Sequence, residues 1–304
     1  MTAALILAAG TLPEESRRKP TDAVGGASSI KRLIMVFRQV GIRKIVVVTG
    51  FDADEVEKHC SHLGVIFLRN KAYETSDKLS SIKTGLEYLK GKCSRVFISS
   101  VHIPFFSAET LRRMESADGQ VIIPSYNRKM GHPILLPENL FGRVLKYDGP
   151  RGLKGVLFDE SIVRNFVEVS DKGILADMRE RVNISGLIKE QGLQRVKATV
   201  KIQLSAEKGF FGPGTLLLLN LTRETGSLKQ AAQQMGVSYS KALKMIACIE
   251  DQLRYKVIES RQGGSGGGSS IITRNGIDLI KRYEAFEAEC AELVEEVFKK
   301  HFGD

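Results

Sequence analysis

Residues 226–274 read GSLKQAAQQMGVSYSKALKMIACIEDQLRYKVIESRQGGSGGGSSIITR, and this stretch decides the fold of the C-terminal third. Ser227 can cap a helix, and Gln230 three residues later completes a capping box. Gly236 ends that helix, and Ser238 can cap a second helix whose apolar residues recur at helical spacing. Two helices joined by such a short glycine turn predict a helix-turn-helix.

The first turns of the second predicted helix carry short hydroxyls and long cations. In a helix-turn-helix these turns enter the major groove, where such side chains can bond phosphates and base edges. We therefore predict DNA contacts at Ser238, Tyr239, Ser240, Lys241 and Lys244. A helical hairpin with an interaction loop stays open as an alternative, because the pattern by itself is common.

A glycine-rich segment follows, between strands predicted at 255–259 and 271–273. The two strands predict a hairpin wing with a flexible tip. Polar residues at its base and exit predict contacts with the DNA backbone or a minor groove, namely Arg261, Gln262 and Arg274.

The stretch from about residue 211 to 284 resembles the DNA-binding domain of the molybdate-responsive ModE regulators, which are close in build to LysR-type winged helices. The matching words are TGSLKQAAQQMGVSYSKA, IEDQL, the glycine-rich segment after IESR, and ITRNGIDLI. The resemblance implies a winged-helix domain that binds double-stranded DNA. Related regulators dimerise through the helix that follows the wing.

Bulk properties narrow the class of protein. A chain of 304 residues suggests two domains, and neither an 18-residue apolar run nor a basic-then-apolar leader is present. We therefore expect a soluble, cytoplasmic protein without membrane contact. Its four cysteines are far apart and lack metal-ligand spacing, which predicts buried free thiols and no zinc site.

Charge is distributed unevenly in the C-terminal third. Residues 201–283 carry 12 Lys and Arg against 6 Asp and Glu, whereas the chain from Glu284 onward carries 2 against 7. A helix predicted at 275–302 has more apolar surface than a small winged helix can cover. We predict a two-fold dimer through this helix, and packing against the N-terminal domain is the alternative.

The N-terminal part begins with a buried strand, Ala3 to Leu7, closed by a turn of small residues that ends at Gly10. Such a turn lets backbone amides approach a phosphate. Largely apolar strands then alternate with amphipathic helices, which predicts an α/β fold with a doubly wound, mostly parallel, Rossmann-like sheet. We predict domains at 1–192 and 213–304, with a linker and first strand at 193–212.

Residues 1 to about 192 resemble the nucleotidyltransferases of molybdenum-cofactor maturation, the MobA/MocA type. The matching words include LILAAG, VVVTGFDADEV, RNKAYETSDKLSSIKTGL, IPFFSAETL, GHPILLPENLF, GPRGLKGVL and GILADM. The resemblance implies a nucleotide site whose phosphates lie on the LAAG loop and a following lysine. The implied ligand-binding residues are Leu7, Ala8, Ala9, Gly10, Lys19, Ser80, Ser81, Lys83, His102 and His132.

The resemblance also implies Mg²⁺ held by carboxylates, but this chain departs from the pattern there. His102 stands where the family has an aspartate, and Arg179 stands where it has a second acid. Glu14 and Glu15 occupy the usual phosphate loop. Mg²⁺ prefers hard carboxylate oxygens, so we assign no catalytic and no metal-binding residue.

These patterns predict a transcription regulator in which a degenerate nucleotidyltransferase domain senses a nucleotide or a molybdopterin-type ligand. The alternative is a bifunctional cytidylyl- or guanylyltransferase that uses Mg²⁺ and also binds DNA. His132 and the residues around His102 would contact the ligand in either case.

Overall fold

The structure is a computed structural model that describes residues 1–10, 19–24, 26–180, 185–188, 198, 200–261 and 269–302. The chain divides into two compact units, one of residues 1–60 and 65–193 and the other of residues 61–64 and 194–304. Each unit has its own buried core.

The first unit alternates strands and helices. Its described strands are β1 (Thr2–Ala8), β2 (Ala23–Val24), β3 (Ala27–Ser28), β4 (Ile45–Thr49), β5 (Ile66–Arg69), β6 (Arg95–Ser100), β7 (Val121–Tyr126), β8 (Lys129–Met130), β9 (Ile134–Pro137) and β10 (Arg164–Glu168). Its described α-helices are α1 (Ser29–Gln39), α2 (Ala53–Cys60), α3 (Lys78–Leu89), α4 (Ala108–Glu115), α5 (Phe141–Lys146) and α6 (Gly152–Leu157).

The central sheet of the described residues runs in the order β10-β7-β9-β6-β1-β4-β5, and β8 is added to β7. Strand β1 is parallel to β4 and β6, whereas β9 is antiparallel to its neighbours. The strands in the middle are buried along their length because helices cover the sheet. The prediction of a mostly parallel α/β sheet is confirmed.

The open edge of this sheet lies where β1, β4 and β6 end side by side. The amide of Val101, just after β6, donates to the carbonyl of Leu7 at 3.0 Å, and the amide of Phe51, after β4, donates to the carbonyl of Ala9 at 3.3 Å. Turns that follow parallel strands therefore meet at one edge, where ligands bind in open α/β sheets.

The second unit is a winged helix. Its described elements are β11 (Leu204–Ser205), β12 (Gly209–Phe211), α7 (Pro213–Thr225), α8 (Leu228–Gln234), α9 (Tyr239–Leu253), β13 (Ile258–Arg261), β14 (Ser269–Ile272) and α10 (Arg274–Phe302). The two serine caps are confirmed, because the hydroxyls of Ser227 and Ser238 accept from the amides of Gln230 and Lys241 at 3.4 and 3.2 Å. The predicted capping box with Gln230 was wrong, because the amide of Ser227 donates to Oγ1 of Thr225 at 3.2 Å instead. Gly236 makes the turn with φ +64°.

Strand predictions in this unit were wrong in their bounds. The returning wing strand, predicted at 271–273, is Ser269–Ile272. The strand predicted over 196–204 is limited, among the described residues, to Leu204–Ser205, and residues 190–197 lie outside the described part. The first wing strand begins at Ile258 rather than 255. The carboxylate of Glu250 accepts from the amides of Val257 and Ile258 at 3.0 and 3.3 Å, so the amides at the start of the strand are bonded to the preceding helix.

The thiols only partly match the prediction. Cys60 and Cys93 are buried, as expected, but Cys248 and Cys290, in α9 and α10, are half-buried. All four are free. No helix in the described residues is long and apolar enough to cross a membrane.

Candidate functional site

The start of α9 forms an exposed polar surface. Ala242, Ile246 and Ile249 are buried on the inner side of the helix. The five residues predicted to contact DNA are all exposed: Ser238, Tyr239, Ser240, Lys241 and Lys244. We call these five the reading surface. Burying the apolar side of α9 in the core leaves this surface outward, which is the geometry that a groove-binding helix requires.

The wing is a two-stranded antiparallel hairpin that pairs Ile258 with Ile272 and Ser260 with Ser270. Ile258 and Ile272 are buried beneath it, and Arg274 is exposed at the start of α10. Arg261 ends β13, whereas Gln262 lies outside the described residues. The predicted wing contacts therefore remain predictions.

A cleft of about 360 Å³ lies beside the reading surface, and Lys241 and Lys244 contribute to its lining. Lys201 and the start of α7, at Gly214 and Thr215, line it as well. Three lysines and helix N-terminal amides give this side of the unit a positive potential. Sequence reasoning missed Lys201, because it lies outside the helix-turn-helix pattern.

The predicted phosphate turn of the first unit is mostly buried. Leu7, Ala8 and Ala9 are at most 5% exposed, while Gly10 is exposed. Residues 11–18, with the two glutamates of the altered loop, lie outside the described residues. Gly10 is thus the member of this turn that a ligand could reach directly.

Lys19, predicted to hold phosphates, contacts two carboxylates of its own chain. Its Nζ donates to Oε2 of Glu55 at 2.8 Å and lies 3.1 Å from Oδ2 of Asp52. These acids raise the pKa of Lys19, and the hydrogen bond to Glu55 is the largest cause. A phosphate at this lysine must compete with both of them.

The three residues of α3 that were predicted to bind the ligand each have a hydrogen-bond or ion-pair partner in the first unit. The amide of Ser80 donates to the capping carboxylate of Asp77 at 3.1 Å, and the buried hydroxyl of Ser81 accepts from Nδ2 of Asn70 at 3.0 Å. Lys83 pairs with Asp148 at 2.7 Å. Asp77 is thus a helix cap, and the local hydrogen bonds of Ser81 explain its position without a ligand.

Backbone hydrogen bonds bring the two candidate histidines to one place. The amide of Met178 donates to the carbonyl of His102 at 2.7 Å, and the amide of His132 donates to the carbonyl of Ile174 at 2.9 Å. Gly131 permits this approach, because a Cβ there would lie 2.7 Å from the carbonyl oxygen of Ile174. The segment after β10 therefore joins the turn after β6 to the turn before β9.

Charged groups surround the histidines. Nε of Arg179 donates to Oδ1 of Asp177 at 3.0 Å, and these side chains are 49% and 15% exposed. Lys78 is an exposed residue, and partial desolvation, followed by the charge of Arg179, lowers its pKa. We call Lys78, His102, His132, Asp177 and Arg179 the cation cluster.

Both imidazoles of the cation cluster are neutral at neutral pH. Burial, followed by the charge of Arg179, lowers the pKa of His102 to about 4. Burial, followed by the charge of Lys78, lowers the pKa of His132 to about 4. Nδ1 of His132 is buried and has no hydrogen-bond partner in the described part of the chain.

This set of donors does not fit Mg²⁺. The cluster has one carboxylate, and Arg179 donates to both of its oxygens. Neutral imidazoles are poor ligands for this hard cation. Within the residues described, no three His, Cys, Asp or Glu side chains are grouped as a metal site would need. The resemblance to the MobA/MocA type implies acids at two of these positions, where this chain has the imidazole of His102 and the guanidinium of Arg179.

Sequence reasoning missed Lys78 and Asp177 as members of this site. Lys78 directly follows the cap of α3, and Asp177 lies two residues before Arg179. Neither position carries a spacing signal that predicts contact with His102 or His132, because the contacts are set by packing of distant segments.

The fold and its open edge define a nucleotidyltransferase-like domain on the same chain as a winged helix. The sequence profile of the MobA-like NTP transferase domain matches residues 4–164, and the chain belongs to this family. A nucleotidyl transferase from Methanothermobacter thermautotroptrophicus shares the fold with a TM-score of 0.52 and 22% identity, over 63% of this chain and 96% of that chain.

The C-terminal region has curated relatives of its own. It is 34% identical over 86 residues to the DNA-binding transcriptional dual regulator ModE of Escherichia coli K12, which covers 28% of this chain and 32% of that protein. It is 34% identical over 83 residues to the molybdenum-pterin-binding protein MopB of Rhodobacter capsulatus, with 27% and 31% covered. The chain spans about a third of the length of these relatives.

Proposed function

We propose that this protein is a DNA-binding transcription regulator of molybdenum or molybdenum-cofactor metabolism, with its nucleotidyltransferase-like domain acting as the ligand sensor. The single observation that carries the proposal is the exposed reading surface at the start of α9, in a region 34% identical to a transcriptional regulator named ModE. Double-stranded DNA is the partner, and a nucleotide or molybdenum-cofactor-related molecule is the ligand.

The electrostatics of the second unit support DNA as the partner. Lys241 and Lys244 are exposed on the reading surface, and Lys201 lines the cleft beside them. Residues 201–283 carry 12 Lys and Arg against 6 Asp and Glu, so positive charge is in excess there. Positive charge concentrated near a reading helix neutralises phosphates, whereas an acidic surface there would repel them.

The far half of α10 supports a homodimer. The N-terminal part of α10, up to Tyr283, packs against the rest of the second unit. The hydroxyl of Tyr283 donates to the carbonyl of Ile202 at 2.8 Å, and its ring lies 5.0 Å from the ring of Phe211. Beyond that point the described side chains are not buried, and Leu293 and Val297 are 60% and 55% exposed.

The spacing of the apolar residues in this half of α10 supports a second copy of the helix as the partner. Phe286, Cys290, Leu293 and Val297 recur at intervals of four, three and four residues, which is the seam of a two-stranded coiled coil. A second copy of the same helix covers such a seam, and two-fold pairing places two reading surfaces on one duplex.

The chemistry of the first unit supports the sensor role. Its edge lies at the carboxyl ends of parallel strands, where ligands bind in open α/β sheets, and the donors described there do not fit the Mg²⁺ that transfer chemistry would use. Ligand binding without turnover is the role we propose for this site. Coupling to DNA requires that the ligand bind the DNA-competent and DNA-incompetent states with different affinities.

Fluorescence anisotropy of a labelled duplex from the protein's own promoter region tests the proposal. We expect binding that weakens steeply with salt, because phosphate contacts release counterions. Lys241→Ala with Lys244→Ala should weaken binding and lower the salt slope by about 2, one for each phosphate contact removed. Lys300→Ala, an exposed lysine near the end of α10, is the matched control and should bind as the native chain does.

Absence of salt-dependent duplex binding by the native chain would contradict the proposal. Equal loss in the Lys300→Ala control would also contradict it, since the effect would then reflect net charge instead of the reading surface. Release of pyrophosphate from CTP or GTP in the presence of molybdopterin would favour the bifunctional enzyme.

A further inference from the structure

The cleft beside the reading surface carries charge of one sign. It is lined by Lys201, Lys241 and Lys244, and no acidic side chain lines it in the part of the chain that the structure describes. Among the same residues, the three ammonium groups have neither a hydrogen bond nor an ion pair. Like charges around one cleft repel each other, so an anion that enters the cleft is attracted by all three.

The cleft lies along one side of α9. Lys241, Lys244, Met245 and Cys248 line it, and helix residues three and four positions apart lie on the same side. Met245 and Cys248 are half-buried, so this side is the border between the buried and the exposed face of the helix. A helix with its side chains is nearly as wide as the major groove, and a phosphate backbone passes along each of its sides. When α9 reads a duplex, one backbone therefore passes at this cleft.

Lys201 lines the cleft from outside the helix-turn-helix, just before β11. Its backbone position is fixed on the C-terminal side. The carbonyl of Ile202 accepts from the hydroxyl of Tyr283 at 2.8 Å, and Leu204 pairs with Phe211 in the hairpin of β11 and β12. Tyr283 and Phe211 are 1% and 0% exposed, so these anchors belong to the core. An ammonium on an anchored backbone loses less freedom on binding than one on a flexible arm.

The shape of the cleft favours a polymer over a small ligand. The cleft is partly open to solvent, whereas small-molecule sites usually bury most of the ligand surface. It is also continuous with the reading surface, because Lys241 and Lys244 belong to both. Charge, openness and continuity together favour the backbone of the duplex that α9 reads.

We propose that a phosphate backbone of the bound duplex passes through this cleft and that Lys201 donates to one of its phosphates. The DNA interface thus extends beyond the helix-turn-helix and the wing, to a lysine that precedes both. Such a contact fixes the position of the domain on the duplex and does not itself read sequence. This inference rests on the proposed function and adds a contact to it.

Fluorescence anisotropy of the full chain, on a labelled duplex from its own promoter region and over a series of salt concentrations, tests the inference. Lys201→Ala should weaken binding about three- to tenfold and lower the salt slope by about 1, because one phosphate contact is lost. A scrambled duplex of the same length should show the same fold-change. Lys201→Arg keeps the charge and should bind within about twofold of the native chain.

Lys208→Ala is the matched control. Lys208 is exposed in the turn between β11 and β12 and is not among the described residues that line the cleft. The amide of its neighbour Glu207 donates to Oε1 of Gln252 at 3.2 Å, near the C-terminal end of α9, whereas the reading surface lies at the start of that helix. The control changes the net charge as much as Lys201→Ala does, and it should bind as the native chain does. Circular dichroism checks that each variant is folded.

Duplexes that carry a single uncharged methylphosphonate locate the contact. Replacing each phosphate of both strands in turn should give positions at which the native chain binds more weakly. At one of these positions Lys201→Ala should show no further loss, because the two changes remove the same contact.

Three results would overturn the inference: native affinity and salt slope in Lys201→Ala, an equal loss in Lys208→Ala, or losses that add at every phosphate position. The two proposals fail in different ways. Absence of duplex binding by the native chain contradicts the proposed function and this inference with it, whereas unchanged binding by Lys201→Ala contradicts this inference alone.

Discussion

Nζ of Lys19 lies 2.8 Å from Oε2 of Glu55, so the lysine expected to hold phosphates is paired with an acid of its own chain. The hydroxyl of Thr21 also donates to Glu55, at 2.6 Å, and Asp52 lies on the other side of the ammonium. Together these contacts fix Lys19 beside the start of α2, next to the turn after β4.

Removing an acidic partner of Lys19 should strengthen nucleotide binding. Glu55→Gln removes one of its two acidic partners, and we expect affinity for CTP or GTP to rise about two- to fivefold, the modest change typical of exposed ion pairs. Asp54→Asn is the matched control, since Asp54 lies on the same helix and pairs with Arg69 instead. Calorimetry on both variants checks this, and an unchanged affinity in Glu55→Gln would show that Lys19 does not contact the ligand.

Acid should destabilise the first unit through the half-buried imidazoles of His102 and His132. Their pKa of about 4 in the folded chain lies below the value of about 6.5 for an unfolded one. Between these values the unfolded state binds more protons, so the free energy of unfolding falls as pH falls. Each histidine contributes up to about 3 kcal/mol over this window.

Urea unfolding followed by circular dichroism at pH 7, 6 and 5 measures this slope, since the chain has no tryptophan. His102→Asn and His132→Asn should each lower the slope by about one proton at its steepest. A slope that is unchanged in the double variant would mean that other groups take up the protons.

A charge in the seam of α10 should break the dimer. Leu293→Glu places a carboxylate at the centre of the exposed apolar stripe, where two copies would have to bury it. We expect sedimentation analysis to show the mass fall from twice 33.6 kDa to 33.6 kDa. Ala291→Glu adds the same charge two residues away, off the stripe, and should leave the dimer intact. A native chain that is monomeric at all concentrations would contradict the proposed dimer through this helix.

A methyl group at Gly276 should destabilise the winged helix. A Cβ there would lie 2.5 Å from the carbonyl oxygen of Val257 and 2.7 Å from Cγ2 of Ile272, where the wing packs on α10. We expect Gly276→Ala to lower the free energy of unfolding by about 1–3 kcal/mol. Gly214→Ala, with nothing within 4 Å of its Cβ, should be neutral or slightly stabilising. Thermal unfolding of both variants compares them directly.

The sequence predicted most elements of secondary structure because their signals are local. Apolar runs identified strands such as Ile45–Thr49, and a serine cap with a glycine turn identified α8 and α9. The first wing strand was misplaced because its start depends on Glu250, in the preceding helix, which accepts from the amides of Val257 and Ile258.

The sequence by itself thus determined the two folds and the reading surface, since residue type and short-range spacing suffice for these. The resemblance to the MobA/MocA type implied the missing acids at His102 and Arg179. Only the tertiary structure decided that Lys78 and His132 join that altered edge and that Lys19 pairs with Glu55. These contacts join residues tens of positions apart, and their geometry follows from sheet order and backbone packing, which no local pattern encodes.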